Sequence, residues 1–213
     1  EGKSVDTSNI KIEKKAGGVI NDTYLVKGLV IDKQRVHPRM PKVVPKAKIA
    51  LFTTALENKK PEVSAEISIS DPLAMQSFLN EEDATFASVG ANVVFCQKGV
   101  DDLVQHYLAK AGILCFRRLK ESDMIAISKA TGGSLVGEVM EIQAKDLGTA
   151  DEVAEKEVGA ESMCFITGCK NPKAVSIVIR GGTEHVLAEV ERAMMDAIRV
   201  VGVAIEDGKV VAG

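Results

Sequence analysis

Several groupings in this 213-residue sequence are of types that could do chemistry. Asp196 stands among arginines in GGTEHVLAEVERAMMDAIRVV, a lone carboxylate of the kind that can orient a water or accept a proton. Asp102, Gln105, His106 and Lys110 recur at helical spacing in VDDLVQHYLAKA and would share one polar face. Cys164 and Cys169 are separated by four residues without a matching His or Cys pair, a weak zinc spacing, and no metal site is expected. The pairs Gly17-Gly18, Gly132-Gly133 and Gly181-Gly182 complete neither a dinucleotide fingerprint nor a phosphate loop.

Each grouping also has a plain structural account. Arg192 and Asp196 are four residues apart, so a surface salt-bridge ladder accounts for them at a few tenths of a kcal/mol per pair, on the order of 0.3. His106 without a carboxylate and nucleophile makes no catalytic case. The four cysteines, Cys96, Cys115, Cys164 and Cys169, occupy apolar runs such as VVFC and GILCF, where a free thiol acts as a small hydrophobe. Thr183 is a natural N-cap with Glu184 favoured beside it, although unpaired amides after Gly181-Gly182 could hold an anion.

The elements that must position these residues alternate along the chain. IKIEKK followed by Ala16-Gly17-Gly18 suggests a short hairpin, and GLVIDK a further strand. VHPRMPKVVPKAK, with Pro38, Pro41 and Pro45, reads as a connector before the buried strand KIALF. VSAEISIS alternates with period two, and Ser70-Asp71-Pro72 opens a helix. ANVVFC, a helix over 100–111 and ILCF form a strand–helix–strand unit that predicts a parallel pair. Val100, Leu103, Val104, Tyr107, Leu108 and Ala111 make that helix's inward stripe. A helix capped by Ser122 or Asp123 follows, then strand SLV, an acidic loop over 145–161, and strands MCFITG and AVSIVIRGG. The last helix carries the stripe Val186, Val190, Ala193, Ala197 and Val201. The fold class is α/β: a mixed domain in the middle, with the chain ends pairing as a smaller second unit.

Composition narrows the function classes. Hydrophobic residues make up 46 % and charged residues 27 %, as in ordinary globular domains. Aromatics are 4 %, Trp is absent and the net charge is −3, which disfavours base stacking and phosphate tracking; nucleic acid is not an expected partner. No apolar run approaches the roughly 20 residues of a membrane helix, and EGKSVDTSN is no secretory signal, so the expected setting is cytoplasmic.

Taken in order, VDTSNIKIEKKAGGVINDTYLVKGLVIDK, GANVVFCQKGVDDLVQHYLAKAGI, RRLKESDM, GCKNPKAVSIVIRGGTEHV and ERAMMDAIRVV resemble the group II chaperonins, the archaeal and eukaryotic cytosolic class that includes the thermosome. The resemblance covers essentially the whole chain. It implies a mixed apical, substrate-binding domain with βαβ units over 28–173, and a small discontinuous α+β intermediate domain from 1–27 and 174–213. A shortened lid protrusion is expected near 70–90, since NEEDATFASV is shorter than the family's charged lid helix. The equatorial ATPase domain, with its Gly-Asp-Gly-Thr motif, has no counterpart in these residues, so the chain reads as part of a longer subunit.

The resemblance also assigns roles. Asp196 matches the intermediate-domain aspartate that orients water over bound ATP, catalytic only with the equatorial domain. Gly28 and Pro172-Lys173-Ala174 match hinge positions. Helix 100–111 matches the element that contacts unfolded polypeptide, placing Asp102, Gln105, His106 and Lys110 toward the client. ATP and magnesium are the cofactors of a full-length member, with none expected bound to these residues alone and no turnover expected. Partners are unfolded proteins and, at full length, other subunits of a double ring, whereas this chain is expected to be a monomer or weak dimer. Two other readings stand beside this one: an independent anion- or nucleotide-binding protein using the helix N-terminus after Gly181-Gly182, and a redox or metal role for Cys164 and Cys169.

Overall fold

In the computed structural model, residues 10–56, 89–171 and 174–208 are described. Two sheets form. The smaller has the order β1-β10-β2, from β1 (Ile10–Ala16), β2 (Tyr24–Val26) and β10 (Val175–Gly181). β1 runs parallel to β10, with Ile10 opposite Val175 and Ala16 opposite Gly181, and β2 runs antiparallel on the other side. The chain ends therefore pair as expected, but the hairpin does not form. Gly17 and Gly18, at φ of 94° and 82°, carry the chain across the end of β10, and the Gly17 amide donates to the Gly181 carbonyl at 2.8 Å.

The larger sheet has the order β3-β9-β8-β4-β5-β6, with β7 alongside β4. Its strands are β3 (Gly28–Ile31), β4 (Val43–Phe52), β5 (Val93–Cys96), β6 (Leu114–Phe116), β7 (Leu135–Val136), β8 (Gly148–Val158) and β9 (Glu161–Cys169). β5 and β6 are parallel, as the strand–helix–strand pattern requires, and the intervening helix is α1 (Asp102–Lys110). α2 (Glu121–Thr131) follows β6, and α3 (Glu184–Asp207) follows β10 and packs on the smaller sheet.

Several expectations are corrected. The acidic loop over 145–161 is mostly β8, which places Ala150, Val153, Ala154 and Val158 inward and turns Asp151, Lys156 and Glu157 outward, while Glu155 is enclosed; a strand with so few apolar residues hides its period. Pro45 lies inside β4, opposite Glu152, where Lys46 takes φ of 50°. α2 begins after Lys120 without a side-chain cap, because Asp123 is buried in an ion pair with Lys11 at 2.7 Å. Leu103 is 42 % exposed instead of packing inward. On α3 the buried positions are Leu187 and Gly202, while Val186, Ala193, Ala197 and Val201 face outward, a face rotated from the expected stripe. Strand VSAEISIS, the helix at Ser70-Asp71-Pro72 and most of the expected lid lie outside the described residues.

The main core gathers Ile49, Leu51, Phe52, Val93, Phe95, Leu108, Leu114, Phe116, Met124 and Ile127 from both sides of the larger sheet. A second cluster, Val30, Val158, Met163, Phe165 and Val178, joins the two sheets. β3 and β9 alternate between these clusters. Leu29, Ile31, Cys164 and Ile166 face the first, and Val30, Met163 and Phe165 the second. Burial on both faces is why GLVI and MCFI read as continuous apolar runs.

Candidate functional site

α1 is held by both ends and one face. The Asp101 carboxylate accepts from the Leu103 amide at 2.9 Å, which caps the first turn, and Val104 and Leu108 lock the inner side into the core. Gln105 does not face outward as expected. It is only 5 % exposed, and its Nε2 donates to the Val100 carbonyl at 2.8 Å and to Asp102 Oδ1 at 3.1 Å. A buried amide must satisfy its donors, and a carbonyl one turn back does so. The exposed face is thus Asp102, Leu103, His106 and Lys110.

A second element lines that face. The segment after β3 is fastened by the Val36 amide to the Cys115 carbonyl at 3.0 Å, by Arg35 Nη1 donating to the Met40 carbonyl at 3.0 Å, and by Arg35 Nε to Glu155 at 3.1 Å. The Arg39 amide donates to His37 Nδ1 at 3.2 Å. The rings of His37 and His106 meet edge-on with centroids 6.2 Å apart. A shallow depression of about 350 Å³ opens among Arg39, His106, Ala109 and Lys110. His37 and Arg39 were not legible as site residues, because the prolines around them signal only a connector.

The junction between the sheets is built from different chemistry. Gly28 has φ of 150°, and a Cβ there would lie 2.1 Å from the Ile166 carbonyl oxygen, so only glycine fits. Ser176, fully buried, donates to the Gly28 carbonyl at 3.0 Å and accepts from the Val30 amide at 2.9 Å. Lys11 of β1 reaches Asp123 at 2.7 Å and the Val30 carbonyl at 3.0 Å. Lys15 pairs with Asp32 at 2.7 Å and with Glu161. Burial pushes the Lys15 ammonium down, but its hydrogen bonds to those two carboxylates outweigh burial and hold it above the usual lysine range. The Arg180 guanidinium lies against Gly159, where a Cβ would come within 2.9 Å of Nη2, and its buried Nη1 has no hydrogen-bond partner among the described residues. Of the expected hinge residues, Gly28 and Ala174 flank this junction, whereas Pro172 and Lys173 lie outside the described residues. None of these cross-sheet partners was named from sequence, since their pairing joins residues far apart in the chain.

Asp196 is exposed on α3, 3.8 Å from Arg199. Arg192 bonds Glu189 and not Asp196, and that hydrogen bond holds the Glu189 carboxyl below its usual range. α1 and α3 pack on different sheets, so the two candidate sites are separate. Thr183 caps α3 as expected, its Oγ1 accepting from the Val186 amide at 3.3 Å. Burial raises the thiols of Cys115, Cys164 and Cys169. Among the described residues no three His, Cys, Asp or Glu side chains form a metal cage.

The sequence profile of the TCP-1/cpn60 chaperonin family matches residues 1–213. This chain belongs to that family. It is 55 % identical to the thermosome subunit alpha of Thermoplasma acidophilum over 98 % of its length, and 56 % identical to the thermosome subunit of Methanopyrus kandleri, again over 98 %. It spans 40 % of the length of each of these relatives. Its fold matches a solved open-state monomer of a group II chaperonin from Methanococcoides burtonii at a TM-score of 0.82 and 47 % identity, covering 97 % of this chain and 47 % of that one. The mixed α/β architecture of this chaperonin chain agrees with that neighbour, and no helix among the described residues is long and apolar enough to cross a membrane.

Proposed function

We propose that this chain supplies the client-binding and hinge regions of an ATP-dependent group II chaperonin, which holds unfolded polypeptide and assists its folding inside a closed double ring in the cytoplasm. The observation that carries the reading is the family match along the whole chain. The larger sheet with α1 and α2 is the apical domain over 28–173, and the smaller sheet with α3 is the intermediate domain over 1–27 and 174–213. Gly28 and Pro172-Lys173-Ala174 are the two crossings at which a few backbone torsions would let one turn against the other. The outer face of α1, joined by the His37–Arg39 segment, contacts clients. A mixed polar and apolar face gives weak contact per subunit that a ring multiplies by avidity.

ATP and magnesium belong to the longer protein. With them bound there, the exposed carboxylate of Asp196 is suited to hold a water, and no further step follows from the residues described. The test is light scattering from a urea-diluted reporter protein with this chain added. Aggregation should slow, and Leu103→Asp should weaken the protection. ATP turnover should stay at background for both the native chain and Asp196→Ala. Turnover that disappears in the variant would instead place a complete nucleotide site within these residues.

A further inference from the structure

We propose that the outer face of α1 selects client segments in which a carboxylate lies beside an apolar side chain, an inference that rests on the client-face reading above. The face is divided by charge. At its N-terminal end the carboxylates of Asp101 and Asp102 are engaged locally, by the Leu103 amide and the Gln105 side chain. At its C-terminal end His37, Arg39, His106 and Lys110 converge around one depression. Neither Arg39 nor Lys110 has an ion-pair partner among the described residues, whereas nearby Arg35 is paired with Glu155. In a chain of net charge −3, a basic concavity left without carboxylates is a local reversal of sign.

Leu103 completes the recognition unit. It is 42 % exposed and lies one helical turn before His106, so an apolar client side chain resting on it would carry a neighbouring carboxylate toward His106 and Lys110. Arg39 approaches from the other wall and can form a two-pronged contact with a carboxylate, which a lysine cannot. A basic client segment would meet like charge in the same place.

The experiment is fluorescence anisotropy of two labelled 12-residue peptides with the same leucine and phenylalanine pattern, one carrying three glutamates and the other three lysines. Titrated with this chain at low salt, the acidic peptide should bind about fivefold more tightly, and the ratio should shrink as salt screens the contact. The double variant Arg39→Glu, Lys110→Glu should reverse the preference while its circular dichroism melt stays native-like, and Lys48→Glu, outside the depression, should leave it unchanged. Equal binding of both peptides that is lost in Leu103→Asp would keep the client face and overturn the acidic selection. Binding of neither peptide would overturn the client face and the selection with it.

Discussion

The two sheets hold together by different means. The larger has a continuous apolar core in which Phe95 and Phe116 stack at 5.2 Å and three cysteines are fully enclosed. The smaller buries little beyond Val178, Ile179 and Leu187, and it turns Val19, Ile20, Leu25, Val200, Val201 and Val203 outward. It is attached to the larger sheet through the packing of Val178 on Val30, Val158, Met163 and Phe165, and through the polar contacts of Lys11, Lys15 and Ser176. A unit with a full core can keep its shape through a movement. One held by a small apolar cluster and a few polar contacts has less to give up, and those polar contacts are individually worth far less than the core.

Breaking the junction should therefore cost the small sheet first. Gly28→Ala tests the other side of the contrast: its Cβ would run into the Ile166 carbonyl of β9, within the larger sheet, and the expected loss in urea unfolding is about 4 kcal/mol, the largest of any single change considered. Asp123→Ala leaves Lys11 with Glu13, 2.8 Å away, as its one remaining carboxylate, at an expected cost of about 1.5 kcal/mol. Amide exchange should show that loss concentrated in β1 and β10, and even loss across both sheets would contradict the contrast. Lys15 sharpens it through pH. Because its folded-state ammonium is held above the unfolded value, its stabilisation is fully present below about pH 10.4 and lost as pH rises through the folded value. Lys15→Met should flatten that alkaline decline, read as a melting temperature at successive pH values. The smallest effect concerns the thiols. Under native conditions an alkylating reagent should reach Cys169, the one cysteine that is not fully enclosed, and should label Cys96, Cys115 and Cys164 only on unfolding.

Much of the fold was legible in the sequence. The parallel β5–α1–β6 unit follows from two apolar runs around an amphipathic helix, and the Thr183 cap follows from its residue type. β8 was missed because a strand with one wet face and few apolar residues has no clear period. On α1, spacing grouped Gln105 with His106, but Gln105 finds a carbonyl and a carboxylate within its own first turn and is drawn inward. The His37–Arg39 wall was invisible because it reaches α1 through space, fastened to β6 by a backbone hydrogen bond.

By itself, then, the sequence determined the family, the alternation of strands and helices, and the pairing of the two chain ends. Those properties rest on residue order and local periodicity, which neighbours along the chain establish. Only the tertiary structure decided which side of α1 and α3 meets solvent, which charges are neutralised across the junction and which stay open beside His106. Exposure and pairing depend on what distant segments bring against a side chain, and a helical period leaves that direction open by a turn of the helix.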